Sequence, residues 1–99
     1  MPATTGRSEK RTARAEAVEL SRLDDSLLRE RAFTENVSPL GARIVTEREW
    51  EPGTRVLAIF PEEGVRSRAR VAYCARLAKY RFAVGLELST RVEQWAKPR

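Results

Sequence analysis

The chain has 99 residues, 41% of them hydrophobic and 33% charged, with a net charge of +5. That is the length of one domain with one modest core. It holds no histidine and a single cysteine, Cys74, which excludes an internal disulfide, a Cys/His zinc site and a Ser or Cys nucleophile with a histidine base.

The positive surplus serves solubility or a polyanionic partner. Residues 1–14 are polar and basic: Arg7, Lys10, Arg11 and Arg14 face a single acid, Glu9. Such a segment is expected to be flexible, with a folded unit over 15–99. It lacks the apolar stretch of a secretory signal. No apolar run approaches the roughly 20 residues that span a bilayer. A cytoplasmic chain without membrane insertion is expected.

From Ala15 to Leu23 the pattern fits a strand with Val18 and Leu20 on one face. A helix also fits, because Ala, Glu and Leu are good helix formers. Asp24-Asp25-Ser26 signals a turn, and Leu27–Glu35 reads as the returning strand. Ala42–Thr46 alternates. Glu51-Pro52-Gly53 forms a turn, Thr54–Phe60 a well-buried strand, and Pro61-Glu62-Glu63-Gly64 another turn.

Val65–Leu77 reads as a long strand, with Arg66, Arg68 and Arg70 on one face and Val65, Ala69, Val71 and Tyr73 on the other. After Ala78-Lys79-Tyr80, Arg81–Ser89 points Phe82, Val84, Leu86 and Leu88 one way and Arg81, Ala83, Gly85 and Glu87 the other. Val92 and Trp95 are three apart, enough for one stripe of a short final helix ended by Pro98. The whole is mainly β, about six short strands with turns between them, which points to a small barrel or sandwich. Cys74 is expected to be a core thiol and both tryptophans packing residues.

Asn36-Val37-Ser38-Pro39-Leu40-Gly41 stands where one strand should end and the next begin. Its residues either build a tight turn and nothing more, or present an amide and a hydroxyl to a planar base edge. Arg7 and Arg11 are four apart, and a guanidinium pairs with a phosphate or stacks on a base. Lys10 and Arg14 share that spacing, so the pair could also be Lys10/Arg14.

In this order the two features resemble the signature of the PilZ family, Arg-x-x-x-Arg followed by Asp/Asn-x-Ser-x-x-Gly. Arg7 and Arg11 fill the first part, Asn36, Ser38 and Gly41 the second, with 24 residues between, Thr12 to Glu35. Asn36 stands where the family more often has Asp. Gly41-Ala42-Arg43-Ile44, Glu51-Pro52-Gly53-Thr54, Ala69–Tyr73 and Phe82–Leu88 look like the family's later strands and turn, so the likeness runs over about residues 7–95.

The resemblance implies a six-stranded antiparallel β-barrel with a short C-terminal α-helix and a flexible basic N-terminal segment. It also implies a bacterial receptor for cyclic di-GMP, a ligand rather than a cofactor, and no catalysis. Arg7 and Arg11 would take phosphates and guanines, Asn36 and Ser38 a guanine edge, and Gly41 a close turn. Lys10, Arg14 and Arg43 are additional candidates. Output would go in trans to a downstream protein. Two alternatives remain: a barrel of this type that binds proteins without a nucleotide, and a small basic barrel that binds nucleic acid. Against the last, aromatics make up only 7% and do not alternate with the basic residues.

Overall fold

The structure, a computed structural model, describes residues 11–96. Its strands are β1 (Thr12–Ala13), β2 (Ala17–Arg22), β3 (Arg29–Ser38), β4 (Gly41–Thr46), β5 (Arg55–Phe60), β6 (Val65–Ala78) and β7 (Arg81–Leu88). All pairings are antiparallel. β2 pairs with β3, β3 with β4, β4 with β7, β7 with β6, β6 with β5, and β5 with β2 again. Six strands thus close into a barrel, and β1 is an added seventh beside β3. Closure leaves the barrel strands few free edges.

Alternation decides which side chains fill the barrel. Val18 and Leu20 of β2, Ile44 of β4, Val56 and Phe60 of β5 and Val84 of β7 are among the fully buried residues. Burying each side chain of this size is worth about 1.5–3 kcal/mol. The strand reading of 15–23 therefore prevails over the helical one, because period-two burial seats Val18 and Leu20 together. The turns after β4 and β5 use Gly53 at φ 92° and Gly64 at φ 67°, left-handed conformations that a side chain would strain.

Trp50 and Trp95 are both packing residues. Trp50 is buried and its Nε1 donates to Glu30 Oε1 at 2.9 Å. Trp95 meets Phe60 edge to face with centroids 4.9 Å apart.

Three expectations are corrected. The C-terminal helix is a single 3-10 turn, Glu93–Ala96. Its Trp95 N–H donates to the Val92 carbonyl, an i→i+3 bond, and that geometry stacks residues three apart without a full α-turn. Tyr73 does not share the inner face of β6, because the register slips between Val71 and Tyr73 and the extra residue at this bulge turns later side chains over. Cys74 consequently points inward but is only partly buried, packed at the margin of the core.

The folded unit also begins before Ala15. Thr12 and Ala13 lie opposite Val37 and Asn36, and the Arg14 side chain is nearly buried. Arg7, Lys10 and Pro98 lie outside the described residues.

Candidate functional site

The turn of interest joins β3 to β4. Val37 is in the core, opposite Ala42, so Asn36 and Ser38 on either side of it face outward. Ser38 lies opposite Gly41, and Pro39-Leu40 forms the two-residue loop. Neighbours fix this loop: the Val92 N–H donates to the Pro39 carbonyl at 2.8 Å, and the Leu88 N–H to the Leu40 carbonyl at 3.0 Å. At position 41 the constraint is space rather than an unusual φ. A Cβ there would stand 3.1 Å from the Leu86 carbonyl oxygen and 3.6 Å from Ser38 Oγ. Asn36 Oδ1 is buried and has no hydrogen-bond partner, a condition that costs about 1–3 kcal/mol.

β1 brings Arg11 to this turn. Thr12 opposes Val37, and the same register carried one residue further sets Arg11 opposite Ser38. The Arg11 side chain is exposed.

Arg14 is placed differently. It donates to Glu63 Oε2 at 2.8 Å and to Glu16 Oε2 at 3.1 Å, and all three side chains are 7–11% exposed. Thr34 Oγ1 ties this corner together: it donates to the Arg14 carbonyl and accepts from the Glu16 N–H at 2.9 Å. Burial, then the neighbouring Glu63 carboxylate, pushes the Glu16 carboxyl up to about 7, against the pull of Arg14.

From Asn36 a row of direct cross-strand partners runs outward over the barrel. Asn36 opposes Arg43 on β4, Arg43 opposes Gly85 on β7, and Gly85 opposes Tyr73 on β6. Arg43 Nε donates to Glu35 Oε1 at 2.7 Å and Nη1 to Tyr73 Oη at 3.3 Å. These bonds, that to Glu35 first, hold the guanidinium above its ordinary pKa. The Tyr73 ring lies over Gly85, where any Cβ would overlap ring carbons. An amide, a hydroxyl, a fixed guanidinium and an aromatic ring therefore share one outer surface. That set suits a planar, hydrogen-bonding, anionic ligand.

Glu35, Tyr73 and Gly85 did not emerge from the sequence motif. One signal was present: an isolated glycine inside an apolar strand often marks close approach by another group. Among the described residues, no group of three or more His, Cys, Asp or Glu is arranged to hold a metal.

Six antiparallel strands closed around one core define a class, the small β-barrel. Among solved structures the fold is shared with the Bacillus subtilis inhibitor of motility, MotI/DgrA, at a TM-score of 0.68 and 18% identity. That match covers 94% of this chain and 49% of the other, so the chain spans about half of that protein's length. At this identity the likeness is one of fold. No protein-family model and no curated protein matches the chain.

Proposed function

We propose that the chain is a non-catalytic receptor for cyclic di-GMP that signals in trans to a partner protein in the bacterial cytoplasm. The observation that carries this reading is the turn itself. Asn36 and Ser38 face outward side by side, Asn36 Oδ1 lacks a donor, and Arg11 enters opposite Ser38. A guanine edge offers N–H donors to such an acceptor, and a guanidinium matches the ligand's phosphates. The commitment of Arg14 to two carboxylates favours Arg7/Arg11 over Lys10/Arg14 as the ligand pair. Arg43 lies one strand from Asn36 and would extend the site. The described residues contain no helix long and apolar enough to cross a membrane.

Calorimetry with cyclic di-GMP, GTP and cyclic di-AMP tests the reading. Cyclic di-GMP should bind at micromolar affinity or tighter, about −8 kcal/mol, and the other two far more weakly. No heat at millimolar cyclic di-GMP would sink it. Amide exchange should also report greater protection of residues 7–11 with the ligand than without, since ordering costs about 1–2 kcal/mol per residue and needs contacts to offset it.

A further inference from the structure

The outer surface of β6 changes character along its length. Before the bulge, Arg66, Arg68 and Arg70 alternate with the buried Ser67, Ala69 and Val71 and face outward. After it, Tyr73 and Ala75 take that side, and Leu77 is exposed at a second register slip, between Arg76 and Ala78. From Phe33 a second row of direct partners crosses the barrel beside the Asn36–Tyr73 row: Phe33 opposes Val45, Val45 opposes Ala83, and Ala83 opposes Ala75. Every member is apolar, where a solvent-facing side of an antiparallel sheet is ordinarily polar; Ala83 itself is fully covered by its neighbours, and Phe33, Val45 and Ala75 are the members that reach the surface. Phe33 is 58% exposed, Leu77 49% and Tyr80, at the hairpin tip, 71%.

On the β6–β7 side of this surface the charges have one sign, while Glu35 and Glu47 flank it on the β3–β4 side. From Arg66 to Leu86 the chain carries Arg66, Arg68, Arg70, Arg76, Lys79 and Arg81 and no acid. At the tip, Arg76 lies 5.1 Å from the Phe82 ring centroid and Lys79 5.9 Å from that of Tyr80.

We propose that the outer apolar row and the tip of the β6–β7 hairpin form the docking surface for a partner protein whose contact face is acidic around an apolar centre. The proposal names the output surface of the receptor described above and rests on that reading. Charge complementarity selects the acidic rim, and the exposed Phe33, Leu77 and Tyr80 supply the anchors that interfaces use. The accessible floor, Val45 and Ala75, is aliphatic. It offers bases neither a stacking plane nor a hydrogen bond, which favours a protein over a nucleic-acid strand. A protein seated there would touch the row beside Arg43 and Tyr73, and with it any nucleotide held at Asn36.

Benzoylphenylalanine installed at position 77, 80 or 62 and irradiated in the cell that makes the protein tests this. Positions 77 and 80 should give one discrete adduct and position 62 none. The cross-linked peptide should come from another protein and carry Asp or Glu around an apolar residue. Lys79→Glu with Arg81→Glu should reduce the adduct at least tenfold while the melting curve is unchanged. Should the double variant melt differently, Lys79→Glu alone, in the exposed tip, carries the same comparison. An adduct between two copies of the chain, an adduct with nucleic acid, equal yield at position 62, no adduct, or insensitivity to the charge reversal would overturn the proposal. Calorimetry of unmodified protein with cyclic di-GMP separates the two readings. Ligand binding without an adduct removes the docking surface alone, and an adduct without ligand binding removes the receptor alone.

Discussion

Two arginines, Arg14 and Arg43, each reach across strands to a glutamate, yet their surroundings give them opposite uses. Arg14 sits at the bend between β1 and β2, shielded with Glu16 and Glu63. Arg43 stands on the outer face between Asn36 and Gly85, about a third exposed, with Glu35 and Tyr73 as partners. In the first place the charge is a structural element, because removing it strands carboxylates away from water. In the second the charge can be handed to a ligand, because water already screens the pair. Burial, more than partner identity, separates a scaffold arginine from a recognition arginine.

The largest expected effect breaks the buried side of that comparison. Arg14→Ala should cost about 3–5 kcal/mol of stability, the usual consequence of removing one partner of a buried ion pair. Arg43→Ala should cost less than about 1 kcal/mol, as exposed pairs do. Urea unfolding of both variants measures the difference. Equal losses would mean that burial does not distinguish the two sites.

The next effect falls on binding. Arg11→Ala should weaken cyclic di-GMP by about 2–3 kcal/mol through a lost charge-assisted contact, with stability nearly unchanged because Arg11 is exposed. Calorimetry and thermal melting of the same preparation separate the two quantities. A variant that binds normally would remove Arg11 from the ligand pair.

A smaller effect probes the row beside Arg43. Gly85→Ala puts a methyl where the Tyr73 ring lies and should cost about 1–3 kcal/mol, as overpacking does. Removing the ring first, in Tyr73→Ala, should make the same glycine replacement nearly neutral. A double-mutant cycle reads this as a coupling energy. Additive losses would show that the ring does not depend on the glycine.

The strands that were legible in the sequence are those whose alternation and turns agree. β5 runs between glycine- and proline-bearing turns and β7 alternates along its length, and their inward residues, Val56, Phe60, Val84 and Leu86, are those the period of two predicts. The outward placement of Asn36 and Ser38 likewise follows from Val37 between them. Tyr73 was not legible. Its face depends on a one-residue slip between Val71 and Tyr73, and nothing in Arg70-Val71-Ala72-Tyr73 breaks the alternation. Nor was the burial of Arg14, which follows from long-range contact with Glu63 across the β5–β6 turn. Local composition places Arg14 with the basic tail, and only tertiary contact separates it from Arg11.

The last expected effect is a gradient with pH, and it sharpens the comparison from the acid's side. Glu16 titrates near 7 in the folded chain, against 4.5 for an ordinary glutamate. Between those values the native state holds a proton that the unfolded chain has released. Stability must then fall as pH rises from 4.5 to 7, with the full contribution present below that window and no further change from this group above it. The physical content is simple: a protonated Glu16 can donate to Glu63, whereas two ionised carboxylates must share one Arg14. Glu16→Gln keeps the donor at every pH. It should therefore be more stable than the wild type at pH 7.5, and its melting temperature should change less between pH 5 and pH 7.5. A wild-type melting temperature that rises over that interval, or a Gln variant with an undiminished gradient, would show that the Arg14 corner tolerates both carboxylates ionised.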